Sequence, residues 1–108
     1  MSGVWQVYLV QCADGSYYCG VTTDLDRRLA EHNGLAPGGA RYTRSRRPVR
    51  LAAAAAFPDR ASACRAEWRV KRLSREKKAA WLREQAAKPE ESGRELVGRG
   101  TAGGGEEA

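Results

Sequence analysis

Trp5, Val7 and Leu9 alternate with Gln6, Tyr8 and Val10. This period of two predicts a strand with one packed face. Ala13-Asp14-Gly15-Ser16 predicts a tight turn, because Gly15 accepts the positive φ a hairpin requires. Tyr17 to Val21 then reads as the returning strand. Tyr8 and Tyr18 fall on neighbouring strands, and their relative face depends on the loop register. Thr22-Thr23-Asp24 offers capping oxygens before Leu25. Leu25, Arg28, Leu29 and His32 follow at i, i+3, i+4 and i+7, one face of a helix. Arg27 points the other way. Arg28 and His32 therefore share the stripe that the leucines turn toward the sheet, where an arginine needs an anionic partner or a pocket.

Asn33 to Gly39 is rich in glycine and reads as a loop. Arg41 to Arg50 sets arginines around Tyr42, Thr43 and Pro48. Val49 to Phe57 is a short apolar run closed by Pro58. It is expected to be a strand despite the helical propensity of its alanines. Asp59 or Ser62 caps a helix over Ala61 to Leu73, with Ala63, Ala66, Val70 and Leu73 inward. Glu67 lies on that stripe, where a carboxylate is expensive unless a cation or donor meets it. Ser74 opens a last helix to about Ala87, anchored by Trp81 and Leu82. From Lys88 onward Gly, Glu and Ser dominate and aromatics vanish. Residues 1–87 thus read as one domain and 88–108 as a disordered tail.

A chain of 108 residues suits one small domain. The net charge of +6 and a pI near 9.7 favour a polyanionic partner, nucleic acid before membrane. Basic residues are densest from Arg41 to Lys78. Arg41, Tyr42, Arg44, Arg46 and Arg47 are candidates for a nucleic-acid backbone groove, with Tyr42 stacking on a base or sugar. Cys12, Cys19 and Cys64 are odd in number and lack C-x-x-C spacing. That argues against a disulfide framework or a zinc site and fits a reducing cytoplasm. No basic segment followed by an apolar run opens the chain, and no apolar run approaches the roughly 20 residues of a membrane span.

Singly, each unusual residue has a structural explanation. Strand tyrosines pack cores, a histidine on an apolar stripe is commonly a satisfied core residue, and Arg28 with Glu67 would form a buried ion pair. Together, Tyr8, Tyr18, Arg28, His32 and Glu67 suit phosphodiester hydrolysis. One carboxylate with waters and phosphate oxygens can hold Mg²⁺. Arginine supplies a permanent, bidentate positive charge for an anionic transition state. Tyrosine and histidine supply a base or a proton relay.

Gln6-Val7-Tyr8 and Tyr18-Cys19-Gly20 stand as two triplets, followed by TTDLDRRLAEHN (22–33), GGARYTRSRRPV (38–49) and FPDRASACRAEWRVKRLS (57–74). In this order the segments resemble the GIY-YIG nuclease family, in particular its small stand-alone bacterial members, from Trp5 to Leu82. The resemblance implies an α+β fold, a small three-stranded antiparallel sheet flanked by helices. It implies a metal-dependent endonuclease using Mg²⁺ or Mn²⁺ on DNA, in branched or single-stranded form, in DNA repair or processing. By the same resemblance Glu67 is the metal-binding glutamate and Arg28 the phosphate-stabilising arginine. Tyr8 is a general base or water-positioner, Tyr18 a phosphate or water contact, and His32 a proton relay or hydrogen-bond partner. Gly20 is the triplet glycine where a side chain would crowd the site. Gln6 and Val7 depart from the glycine and isoleucine of the first signature triplet. The alternative is a nucleic-acid-binding module that keeps the fold with little or no catalysis. A cytoplasmic monomer is expected, since one protein on one phosphate suffices for a nick.

Overall fold

The computed structural model describes residues 4–87; the expected disordered tail, 88–108, lies outside the described residues. Strand β1 (Trp5–Gln11) and strand β2 (Tyr17–Thr22) run antiparallel. In the turn between them Asp14 accepts hydrogen bonds from the Ser16 amide at 3.0 Å and the Ser16 hydroxyl at 2.6 Å. Gly15 takes the required positive φ of 88°. β3 (Arg50–Phe57) pairs antiparallel with the other side of β1, giving the sheet order β2-β1-β3. The alanine run is therefore a strand. Pairing with the central strand overrides the helical preference of its residues.

The sheet has two unequal faces. On one, Val7, Leu9, Cys19, Ala53 and Ala55 pack against Ala63, Ala66 and Val70 of α3 (Arg60–Arg72) and Leu82 of α4 (Arg75–Ala87). Alanines on both sides of this contact let helix and sheet approach closely. Leu73, expected inward, is instead the half-buried cap that ends α3. On the other face Tyr8, Val10, Cys12 and Val49 gather with Tyr18, Ala54 and the leucines Leu25 and Leu29 of α1 (Leu25–His32). This second cluster is smaller and carries polar groups inside it, which is where the candidate chemistry lies.

Asp24 caps α1 through the Arg27 amide at 3.1 Å, and Asp59 caps α3 through the Ser62 amide at 2.8 Å. The arginine-rich stretch, to which the sequence pattern assigns no element, contains a single helical turn, α2 (Arg41–Arg44). Its Thr43 is fully buried. All three cysteines are free thiols. Among the described residues no helix is long and apolar enough to cross a membrane.

Candidate active site

The register settles what the sequence left open. Tyr8 pairs with Gly20 and Val10 pairs with Tyr18, so the two tyrosines are diagonal neighbours on one face of the sheet. Their ring centroids lie 6.5 Å apart. A Cβ on Gly20 would fall 2.5 Å from the Tyr8 hydroxyl. The glycine is the space into which the Tyr8 ring lies down across β2.

The Tyr8 hydroxyl meets His32 Nε2 at 2.7 Å, and His32 Nδ1 meets Thr43 Oγ1 at 2.9 Å. Thr43 in turn donates to the Ala40 carbonyl at 3.0 Å. A hydroxyl has one proton. With that proton on Ala40, His32 Nδ1–H is the donor to Thr43, and Nε2 is the acceptor for Tyr8 O–H. The Ala40 amide, 3.5 Å from Nδ1, sits at the outer limit of a hydrogen bond and competes weakly. A directed chain thus runs from Tyr8 through His32 to the backbone of the 33–40 loop. All three side chains are buried. Burial, then the charge of Arg28 and that of Arg47, holds the His32 imidazole below its ordinary pKa, so it is neutral at pH 7. Burial pushes the Tyr8 phenol up to about 12, against the opposing pull of Arg28.

Arg28 completes the group from the same helix. Its Nε donates to the Tyr8 hydroxyl at 3.4 Å and its Nη1 pairs with Glu31 at 2.7 Å. The side chain remains 27% exposed, against 60% for Arg27. That leaves part of the guanidinium open to a ligand. The buried Arg28–Glu67 pair that stood as the purely structural alternative does not form, because Glu31, three residues on in the same helix, supplies the anion. That partner is written in the i, i+3 spacing and was missed.

Glu67 sits on α3, against the opposite face of the sheet from Tyr8. Its partner is Lys71, at 3.0 Å. The two sides meet at β2, which is an edge strand. Burial, then the Glu67 carboxylate, raises the Cys19 thiol to about 12, which places Glu67 within electrostatic reach of β2. An open depression of about 260 Å³ joins Tyr18, Cys19 and Tyr42 to Lys71 and Lys78 around this edge. The structure therefore gathers Tyr8, Tyr18, Gly20, Arg28 and His32 on one face and sets Glu67, through its partner Lys71, at the neighbouring rim, with no hydrogen bond or ion pair to Tyr8 or Arg28.

The described residues hold no cluster of three or more His, Cys, Asp or Glu side chains suited to a metal. A lone carboxylate fits only a hard cation that fills its shell with water and substrate oxygens, as Mg²⁺ does. Glu67 offers that donor. Lys71 engages its Oε2 at 3.0 Å.

The basic segment divides into two kinds of arginine. Arg47 donates from Nε to the His32 carbonyl at 2.6 Å, capping the end of α1. Arg46 pairs with Asp14 at 3.0 Å and lies 4.0 Å over the Tyr42 ring. Tyr42 stacks on Tyr18 with centroids 5.9 Å apart. Arg41 and Arg44 are exposed, and neither joins an ion pair among the described residues. Thr43 and the Tyr42–Tyr18 stack were invisible to helical or strand periodicity, since both rest on one short turn folded over the hairpin.

Residues 4–80 match the GIY-YIG catalytic domain model. The chain is 49% identical over 88 residues to a UPF0213 protein of Xanthomonas campestris, an alignment covering 82% of this chain and 84% of that one. It is 51% identical over 74 residues to a UPF0213 protein of Halobacterium salinarum, covering 68% of this chain and 94% of the relative. Among solved structures, the protein EF2693 from E. faecalis, determined by solution NMR, superposes with a TM-score of 0.53 at 38% identity, covering 78% of this chain and 90% of that chain. The fold, the order of the motifs and the family match agree: the chain belongs to the GIY-YIG catalytic domain family, a nuclease-type family.

Proposed function

We propose that the protein is a metal-dependent endonuclease hydrolysing DNA phosphodiester bonds, in DNA repair or processing. The observation that carries this reading is the buried chain from Arg28 through Tyr8 and His32 to Thr43, beside a half-exposed guanidinium and the Tyr18 ring.

Arg28 contacts the scissile phosphate and stabilises the charge that builds on it. Tyr18 is half-buried and lines the open depression at the β2 edge, where it would meet phosphate or the attacking water. Tyr8 takes a proton from that water as its own proton passes to His32 Nε2. No buried tyrosinate has to persist, which a phenol with a pKa near 12 would resist. Glu67 would hold a divalent cation, Mg²⁺ or Mn²⁺, by its carboxylate. When bound, the ion polarises the phosphate and steadies the leaving oxygen. Arg41 and Arg44 hold the DNA backbone away from the reacting bond.

The Glu67–Lys71 pair favours a second reading, in which the lysine ammonium keeps the carboxylate occupied and the domain binds DNA without cutting it. Incubation of plasmid, flap and single-stranded DNA with Mg²⁺ or Mn²⁺ separates the two. The endonuclease reading expects cleavage that EDTA abolishes. Salt-sensitive binding with no cleavage of any substrate would establish the second.

A further inference from the structure

Arg65, Trp68, Arg69 and Arg72 recur on α3 at i, i+3, i+4 and i+7, opposite the buried stripe of Ala63, Ala66 and Val70. A solvated helix face would not place a tryptophan there. Trp68 is 61% exposed, with the Arg72 guanidinium 4.6 Å from its ring centroid. Trp81 of α4 carries Arg69 at 5.8 Å. Between the two indoles lies an open groove of about 640 Å³ with Phe57, Cys64 and Ala66 in its lining and no acidic side chain. It belongs to the helical layer on the face of the sheet away from Tyr8 and His32.

The ion pairs among the described residues are Arg27–Glu31, Arg28–Glu31, Arg46–Asp14 and Lys71–Glu67. Among the described residues Arg65, Arg69 and Arg72 therefore meet no carboxylate at salt-bridge distance, although Asp59 lies within electrostatic reach of Arg65. The groove pairs exposed aromatic surface with arginines that meet no carboxylate among the described residues, so its complement is both flat and anionic. A second copy of this chain does not fit, because a two-fold contact would set the same arginines against each other. A duplex keeps its bases stacked inside and offers nothing to the indoles. A bilayer presents a broad surface and not a plate that enters a groove.

We propose that this groove binds a segment of single-stranded nucleic acid, with bases against Trp68 and Trp81 and phosphates on Arg65, Arg69 and Arg72. The inference does not depend on the endonuclease reading, since a domain that only bound DNA would use the groove equally.

The test is fluorescence anisotropy of a labelled oligothymidylate titrated with the full chain in EDTA, over a range of salt. A hairpin duplex, anionic phospholipid vesicles and sedimentation of the protein alone are run in parallel. Trp68→Ala should weaken oligothymidylate binding roughly tenfold or more, and Trp68→Tyr should restore most of it. Replacing Arg65, Arg69 and Arg72 by Gln should lower the salt slope by about 2. Duplex binding should change less than about twofold in each variant. Circular dichroism checks that the variants fold, and Trp68 is exposed enough for its loss to be tolerated. The proposal is overturned by unchanged oligothymidylate binding in Trp68→Ala, or by equal losses on duplex. Binding of vesicles in place of the oligonucleotide, or a dimer that Trp68→Ala dissolves, would also overturn it.

Discussion

Gly20 lies directly across from Tyr8, and a methyl group on it would stand 2.5 Å from the Tyr8 hydroxyl. The ring would have to lift, and the 2.7 Å bond to His32 would go with it. Gly20→Ala is expected to destabilise the fold by about 1–3 kcal/mol, as overpacking does. It should reduce cleavage by on the order of 100-fold while leaving DNA affinity within a factor of about two. Urea denaturation read beside nicking kinetics checks both. Cleavage that survives intact would remove Tyr8 from the mechanism.

His32 sets the acid limit. Its folded pKa is depressed below the unfolded value of about 6.5. Between those two values the unfolded chain binds the proton that the folded chain refuses. Stability is therefore complete above about pH 6.5 and declines as pH falls through the folded pKa. Thermal melting of the wild type should show this decline, and His32→Gln should flatten it. The cleavage rate should hold through that window and fall only as pH drops through the lower, folded pKa, because a protonated Nε2 no longer accepts from Tyr8. The Nδ1–H tautomer predicted by the Thr43 bond is directly readable from the imidazole ¹⁵N shifts.

Lys71 pairs with Glu67 at 3.0 Å and, in the proposed mechanism, competes with the metal for it. The pair is partly exposed, 56% for Lys71 and 22% for Glu67, so losing it should change stability by about 1 kcal/mol or less. Lys71→Met leaves the carboxylate to the metal alone. The Mg²⁺ concentration for half-maximal cutting is expected to drop several-fold, as a titration of nicking rate against Mg²⁺ would show. An unchanged or higher requirement would mean that Lys71 does not compete with the ion.

The arginine segment should respond in two ways. Arg41→Ala with Arg44→Ala is expected to weaken DNA binding and lower the salt slope by about 2, with melting unchanged. Arg47→Ala removes the 2.6 Å bond to the His32 carbonyl and should lower stability by about 1–3 kcal/mol. Salt-dependent binding and thermal melts on both variants distinguish the roles.

The elements were largely legible because each rests on local spacing. The period of two in β1, the Asp24 cap and the leucine stripe of α1 all lie within a few residues of one another. The inward placement of His32 and the outward placement of Arg27 follow from the helical period alone. What was illegible depends on contacts distant in sequence. The shared face of Tyr8 and Tyr18 needed the hairpin register. Thr43 needed α2 to fold back onto His32, eleven residues earlier. The partner of Arg28 could be read two ways, and the nearer carboxylate won because an i, i+3 contact asks no chain folding of it. Glu67 came to the β2 rim and not into the Tyr8–Arg28 cluster. Alternation along one strand cannot say which helix crosses which edge.

In the proposed mechanism Arg28 and Glu67 act on one phosphodiester from two sides of the β2 edge. The decisive experiment is single-turnover nicking of supercoiled plasmid in Mg²⁺, with wild type beside Arg28→Ala and Glu67→Ala. Wild type should nick, and each variant should be slower by about 100-fold or more with melting temperatures near wild type. Equal nicking by all three proteins, or none by wild type under conditions where it binds the plasmid, would contradict it.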